Sequence, residues 1–452
     1  MENKVINAAY DLLQLSVLRS QGKPVGTAAA VHSYIEAPNY QECFVRDFIP
    51  SALVFLMDGD TEIVKNFLNI VVELRGQQSV MEGHERAVGL MPASFHVAND
   101  DGQQPTADFG DRAIGRVAPV DSAMWWMILL RAYATQTGDK EFAANDAMQE
   151  SIRSIMKLYL QESFETSPAM LVPDGSFMID RRMGVYGHPL EIQALFYGML
   201  QTALELLKPE PQNEHVLALC RKRVQTLRSY VRIYYWLDQE RLNEIHRYRS
   251  EEFGLDAVNV LNIYPETIPE WIDGWLPENA GYLVGNLGPG RMDFRYFALG
   301  NLLAILFGLT TDDQAAHIMN MYDAHWDSLV GQMPLKICYP AVTGDKWAYT
   351  TGSDPKNVPW SYHNGGHWPC LLWAFAGAAV HVHRYDLAKN AIETAMEKLK
   401  KDNWPEYYDG KKGTLIGRRA NFNQIWSASG LIVAHRLMEH PHTRSVLKAI
   451  SF

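Results

Sequence analysis

Residues 42–75 read ECFVRDFIPSALVFLMDGDTEIVKNFLNIVVELR, and the changes of pattern within that stretch decide the fold. A polar opener carrying Arg46 and Asp47 comes first. The run SALVFLM (51–57) then has no charge and is apolar on every side of a helix, so it predicts an inner helix that water never reaches. Asp58-Gly59-Asp60 is a turn signal, and the half-charged segment beyond it has apolar residues at helical spacing, which predicts an outer, amphipathic helix.

The same layout returns along the whole chain. Further openers rich in His, Arg, Asp and Trp are APVDSAMWW (118–126), VYGHPLEIQ (185–193), GRMDFRYF (290–297), SYHNGGHWP (361–369) and RRANFNQIW (418–426). Runs such as ALGNLLAILFGL (298–309), PCLLWAFAGAAV (369–380) and SASGLIVA (427–434) follow them, and turns such as Thr137-Gly138-Asp139 and Thr310-Thr311-Asp312 end inner helices. Six inner helices, each paired with an outer one in consecutive antiparallel hairpins, predict an all-α, six-fold (α/α)6 barrel with long loops at the active-site end. All inner N-termini then lie at one mouth, where unpaired N–H groups and helix dipoles make a polar bowl.

The 452 residues carry Gly and Pro scattered throughout, without a linker or low-complexity tract, so residues 1–452 are expected to form a single catalytic domain with an N-terminal helical segment over about residues 1–30. A chain of this size buries about three quarters of its unfolded surface, which a single core manages when closed into a barrel. The N-terminus lacks the uninterrupted apolar run of a signal peptide, and no stretch reaches the roughly 20 apolar residues of a membrane span. A cytoplasmic protein with four reduced cysteines is expected.

A net charge of −11 argues against nucleic acid as a partner and disfavours anionic polymers. Twelve Trp and 21 Tyr, many of them within the polar openers, point instead to a neutral partner such as a sugar, whose C–H faces pack on aromatic rings.

Connectors 78–117, 162–187, 238–289, 327–362 and 401–420 exceed the roughly 12–15 residues of an ordinary loop and are expected at the bowl, where catalytic groups usually sit. Asp47, Asp121, His188, Asp293, His367 and Asn421 ring its mouth. Helix capping alone would also account for the Asp and Asn among them.

His363 and His367 have a zinc-like spacing, yet there is no CxxC and no third ligand at a diagnostic distance, so no metal is expected. GNLGPGR (285–291) lacks nucleotide-binding spacing and reads as a Gly- and Pro-shaped loop. No GxSxG exists, and Ser427 and Ser429 read as close-packing residues. Carboxylate chemistry survives, with Asp108, Asp111, Asp174, Asp180, Glu191, Glu278, Glu406 and Asp409 as candidates. Hydrolysis of a glycosidic bond needs only two, one protonated and one ionised. Aromatic neighbours surround Glu406 in WPEYYDG, while Arg181 and Arg182 adjoin Asp180, and spacing alone assigns no roles.

The segments ECFVRDFIPSALVFLMDGD, DFGDRAIGRVAPVDSAMWWMILLRAY, LVPDGSFMIDRRMGVYGHPLEIQALFY, ENAGYLVGNLGPGRMDFRYFALGNLLAIL, WSYHNGGHWPCLLWAF and NWPEYYDGKKGTLIGRRANFNQIWSASGLIVA resemble the alkaline/neutral invertases, glycoside hydrolase family 100, in their compact cyanobacterial form. The likeness runs from about residue 30 onward. It implies hydrolysis of sucrose to glucose and fructose, with inversion at the glucose anomeric carbon, no cofactor and no metal. It also implies Asp180 as general acid and Glu406 as general base, with a homo-oligomer as the assembly, its subunit number, tetramer or hexamer among the options, left open. In an inverting pair the two carboxyls stand roughly 6.5–9.5 Å apart. An acid working at neutral pH further predicts that Arg181 and Arg182 turn away from Asp180 or engage other carboxylates. Arg46, Asp47, Asp121, Trp126, Tyr186, His188, Arg291, His363, His367 and Gln424 are the expected substrate shell, chosen for their place at the bowl mouth. Alternatives on the same barrel are an inverting phosphorylase, a sugar epimerase, a non-catalytic sugar sensor and a zinc-dependent enzyme.

Overall fold

The computed structural model describes residues 2–31, 38–77, 87–98, 104–110, 119–161, 168–172, 175–179, 183–250, 263, 265–288, 291–415 and 420–452. Within them the α-helices are numbered α1 to α17 in chain order. Six are predominantly apolar: α2 (Phe48–Asp58), α4 (Ser122–Thr137), α7 (Leu190–Leu206), α10 (Ala298–Leu306), α14 (Leu372–His381) and α16 (Ile425–Glu439). Every residue of α10 is buried, as is every residue of α4 from Ser122 to Ala134. A helix apolar on all sides is satisfied only when neighbours cover each side. These six achieve that by closing a ring: each packs on the next, and α16 returns to α2. At the closure the buried hydroxyls of Ser51 and Ser429 share a hydrogen bond of 2.9 Å.

The outer positions are held by α1 (Glu2–Leu15), α3 (Thr61–Glu73), α6 (Asp146–Tyr159), α8 (Glu214–Tyr230), α11 (Asp312–Ala324) and α15 (Tyr385–Leu399). The expected punctuation is present. Gly59 and Gly138 end α2 and α4 in the left-handed region, at φ 85° and 75°, where glycine carries no Cβ penalty. The Thr311 side chain closes a reciprocal capping box with Gln314 at the start of α11. One expectation is corrected. The hairpin order predicts an outer helix after α16, but α17 (Ser445–Ile450) is only six residues long and packs on α4, so α1 takes the place beside α16.

Shorter helices lie between these: α5 (Lys140–Ala144), α9 (Gln239–Ser250), α12 (Trp326–Leu329) and α13 (Gly344–Thr351). The connectors also contain strands, which the helical reading did not foresee. A hairpin pairs β1 (Val17–Ser20) with β2 (Lys23–Thr27), and a small sheet has the order β3 (Cys43–Phe44), β4 (Ser94–His96), β5 (Thr106–Asp108). A larger sheet joins β6 (His188–Pro189), β8 (Gly281–Gly288), β9 (Arg291–Phe297) and β10 (Cys338–Tyr339), with β7 (Trp236–Asp238) also pairing β8. Thus the described residues of GNLGPGR are strand rather than free loop, Gly285 to Gly288 ending β8 and Arg291 beginning the antiparallel β9. Its Gly and Pro residues hid the alternation on either side. Strands β6 and β9 run directly into α7 and α10, and β3 precedes α2 by three residues, so both sheets stand at the bowl end and fix where the openers lie.

Ser429 therefore does more than pack closely. Replacing either Ser51 or Ser429 by Ala leaves the other hydroxyl buried without a partner and should cost about 1–3 kcal/mol, while the double Ala variant should cost clearly less than the two singles added together. Strictly additive losses in denaturant unfolding would show that the pair does not bind the ring shut.

Candidate active site

Polar residues ahead of the helices serve as caps in some places and not in others; Asp60 before α3 and Asn213 before α8 make no side-chain cap bond. Before the outer helix α6, the Asn145 side chain accepts the backbone N–H of Met148, and Asp139 accepts that of Phe142 ahead of α5. Asp47, Asp121 and Gln424 occupy the same position before inner helices α2, α4 and α16, and none makes a side-chain cap bond. Capping alone does not explain them.

Their side chains engage one another instead. Arg46 Nη1 donates to Asp121 Oδ2 at 2.7 Å, and its Nε lies 3.8 Å from Asp47 Oδ1. Burial pushes the Asp47 carboxyl up to about 7; Arg46 opposes the shift, and the charges of Glu406 and Asp121 add to it. Glu191 is likewise raised from 4.5 to about 8, by burial first and Asp121 next, with Arg46 opposing. Four carboxyls from four parts of the chain thus share one electrostatic neighbourhood around Arg46.

Glu406 enters this cluster on the 401–420 connector. Its N–H donates to the Asn421 carbonyl at 2.9 Å, and Tyr408 and His367 exchange backbone hydrogen bonds, which lash the WPEYYDG loop to the segments ahead of α16 and α14. Gly410 lets that loop come close: a Cβ there would stand 1.8 Å from the Gly365 carbonyl oxygen. Glu406 is only 2% exposed. Tyr40 donates its hydroxyl proton to Oε1 at 2.7 Å, Lys356 Nζ stands 3.9 Å from Oε2, and Oε2 has no hydrogen-bond partner. Aromatic rings build the wall. Tyr362 stacks on His363 at 4.0 Å between centroids, and Trp368 lies parallel to Tyr407 at 5.8 Å and edge-on to Trp426 at 5.6 Å.

Of the remaining expected carboxylates, Asp111, Asp174 and Asp180 lie outside the described residues, as do Arg181 and Arg182. The segment just before them is anchored, since the N–H of Met178 donates to Glu191 Oε1 at 3.0 Å while Glu191 Oε2 is buried without a partner. Asp409 accepts the N–H groups of Lys411 and Lys412 and shapes its own turn. Glu278 is exposed.

The substrate shell divides. Gln424 is fully buried with neither side-chain polar atom hydrogen-bonded, and Arg46 Nε is in the same state. Buried unpaired polar atoms are rare in folded proteins, and their convergence at one mouth marks a binding site. Trp126 corrects the expectation: its indole N–H donates to the Leu68 carbonyl of α3, so the ring fills the space between inner and outer helices. His188 is tied by Nδ1 to the Leu287 carbonyl of β8, and burial lowers its pKa. Tyr186 is 55% exposed at the rim, where its carbonyl accepts from Asn286 at 2.6 Å. The Arg291 side chain lies outside the described set.

His363 and His367 have different surroundings. Burial and then Lys356 hold His363 neutral, whereas His367 is pushed down to about 3 by burial and then Lys336, and its ring lies against Gly331. Among the described residues no group of three or more His, Cys, Asp or Glu is gathered as a metal ion would need. Sequence reasoning missed Tyr40 and Lys356. Tyr40 lies two residues ahead of the first opener, and Lys356 belongs to DPKN, inside a connector with no helical period.

A closed (α/α)6 ring with buried carboxyls, unpaired hydrogen-bonding atoms and aromatic rings at its polar mouth defines a carbohydrate-active barrel enzyme, a glycoside hydrolase. The fold is shared with the GH63 mannosylglycerate hydrolase from Thermus thermophilus in complex with glucose, at a TM-score of 0.59 and 11% identity over 96% of this chain and 100% of that one. The chain belongs to the alkaline and neutral invertases, glycoside hydrolase family 100, whose family model matches residues 9–441. It is 48% identical to probable alkaline/neutral invertase F of Arabidopsis thaliana, covering 97% of this chain and 89% of that one. It is 47% identical to cytosolic invertase 1 of Oryza sativa subsp. japonica, covering 97% and 78%.

The raised Glu191 carboxyl has a consequence for stability. A folded pKa above the unfolded one makes a contribution that is complete below about 4.5 and is lost as pH rises through about 8. Glu191→Gln keeps the shape and removes the titration, so its melting temperature should gain on wild type as pH rises from about 5 to 8. Parallel melting curves across that window would show that Glu191 is ordinary.

Proposed function

We propose that this chain hydrolyses sucrose to glucose and fructose with inversion at the glucose anomeric carbon, Asp180 acting as general acid and Glu406 as general base. One observation carries the reading. Glu406 is buried, its Oε1 is occupied by the Tyr40 hydroxyl, and its Oε2 is left without a hydrogen bond. A base needs one oxygen to be held and the other to face water.

In the reaction Glu406 Oε2 takes a proton from a water whose oxygen attacks the anomeric carbon. The bond to the bridging oxygen breaks, and that oxygen receives the proton of Asp180 as fructose leaves. Asp47, poised near neutrality, can donate to a glucose hydroxyl as well as accept from it. Asp121 and Arg46 offer charge-assisted bonds, and Gln424 brings an amide with both ends free. The rings of Trp368, Tyr407 and Trp426 offer faces for the C–H side of the sugar. Tyr186 is assigned to the rim, His363 to the wall beside Glu406, and His188, His367 and Trp126 to the scaffold, while Arg291 is kept as a sugar-binding candidate.

We further propose that residues 1–452 act as one catalytic domain, in the cytoplasm and as a homo-oligomer. No helix of the described residues is long and apolar enough to cross a membrane, and a named cytosolic relative supports the compartment. The exposed ring of Tyr349 offers apolar surface for assembly.

Glu406→Gln should abolish turnover of sucrose while preserving its binding by calorimetry, and Asp180→Asn should lower kcat and remove the upper limb of the pH–rate profile. Proton NMR of the wild-type reaction should show β-glucose as the first anomer. If α-glucose comes first, the enzyme retains configuration; if turnover requires phosphate, it is a phosphorylase.

A further inference from the structure

We infer that Lys356 holds the attacking water together with Glu406, an inference that rests on the assignment of Glu406 as the base. Lys356 Nζ stands 3.9 Å from Glu406 Oε2, the oxygen with no hydrogen bond. That gap is too long for a direct hydrogen bond, and a polar pair at such range invites a shared water. A water at the ordinary distance of about 2.8 Å from both atoms would see them at roughly a right angle, leaving its second lone pair free.

The side of the sugar follows from the mechanism. In an inverting enzyme the base and its water lie across the glucose ring from the leaving group, so a cation 3.9 Å from the base oxygen belongs to the water and not to the fructose. The lysine is also built in. Asp354 Oδ1 accepts the Lys356 N–H at 3.1 Å, and its Oδ2 accepts from the fully buried Asn357, whose carbonyl takes the Trp347 indole N–H at 2.6 Å. From this knot the lysine reaches over the face of Tyr362, with Nζ 3.8 Å from the ring centroid, a cation–π contact that fixes its head. Arg46 acts on His363 and Asp47 interacts with Glu406, while burial keeps His363 neutral.

In the step itself one Lys356 N–H donates to a lone pair of the water and stays on the lysine. One water proton passes to Glu406 Oε2, and the second lone pair forms the bond to the anomeric carbon as the bond to the bridging oxygen breaks. That oxygen takes the Asp180 proton. The water oxygen thereby becomes O1 of β-glucose, so Lys356 should also grip O1 in the product.

Two measurements test this. Lys356→Met should lower kcat roughly 100-fold or more, the scale of losing one preorganised donor, with KM for sucrose within about twofold of wild type. Wild type should be inhibited by glucose more strongly than by 1-deoxyglucose, and the variant should shrink that preference by about fivefold or more. Lys356→Arg keeps a cation over Tyr362, so it should fold even where the methionine variant does not, and its kcat should fall between the two because a planar guanidinium places its N–H groups differently. Wild-type kcat in both variants, or a loss confined to KM, overturns the proposal. Glu406→Gln is the control: if it turns over sucrose normally the base assignment has failed, and if it is inactive while Lys356→Met is not, only the water-holding role has failed.

Discussion

Six helices with apolar residues on every side constrain everything else in this molecule. Such a helix has no side to show to water, and an open row of them would strand two at its edges. Closure from α16 back to α2 removes those edges. Closure in a chain of hairpins also makes all six run the same way, so their first turns meet at one mouth. The site is a geometric by-product of covering hydrophobic surface, and it gathers residues from Arg46 to Gln424 without needing any of them to be close in sequence.

The mouth costs stability to keep. Arg46 Nε, Glu191 Oε2, Glu406 Oε2 and both polar atoms of Gln424 are buried and unpaired, and each such atom costs about 1–3 kcal/mol relative to a satisfied one. Residues of the same chemical types ahead of α5 and α6, Asp139 and Asn145, are used for capping. The difference between the two sets lies in what the residues are left free to do. A ligand bearing many hydroxyls is the natural way to satisfy a cluster of separated donors and acceptors, and the cost of leaving those atoms unpaired becomes affinity once the ligand pairs them.

The scaffold was legible in sequence because period and turn chemistry are local signals. Gly59, Gly138 and Thr311 end or begin helices where their residue types say they should. The connectors were less legible. The β8–β9 pairing depends on partners across a segment rich in Gly and Pro, and the outer place of α1 depends on a contact with α16, at the far end of the chain. At the site, the resemblance to family 100 carried Glu406, and the opener pattern carried Arg46, Asp47, Asp121 and Gln424. It also carried Trp126, wrongly placed, because that residue lies within α4 with its indole bonded to the Leu68 carbonyl of α3. No local signal marks Tyr40 or Lys356, since each matters only through a carboxylate distant in the chain.

The proposed role of Glu406 as base gives a reason for those two residues to come from separate parts of the chain. A carboxylate has two oxygens with different tasks when it acts as a base. One must be immobile so that the group does not swing, and Tyr40, arriving from ahead of β3, supplies a short bond to Oε1. The other must be reachable by a water but by no protein donor at full hydrogen-bond distance, because such a donor would occupy the lone pair that takes the proton. Lys356 at 3.9 Å meets that condition: near enough to attract, too far to bind. Under the proposed assignment of Glu406 as base, a shorter lysine contact would give a tidier ion pair and a poorer base, so that role accounts for the open distance between Nζ and Oε2.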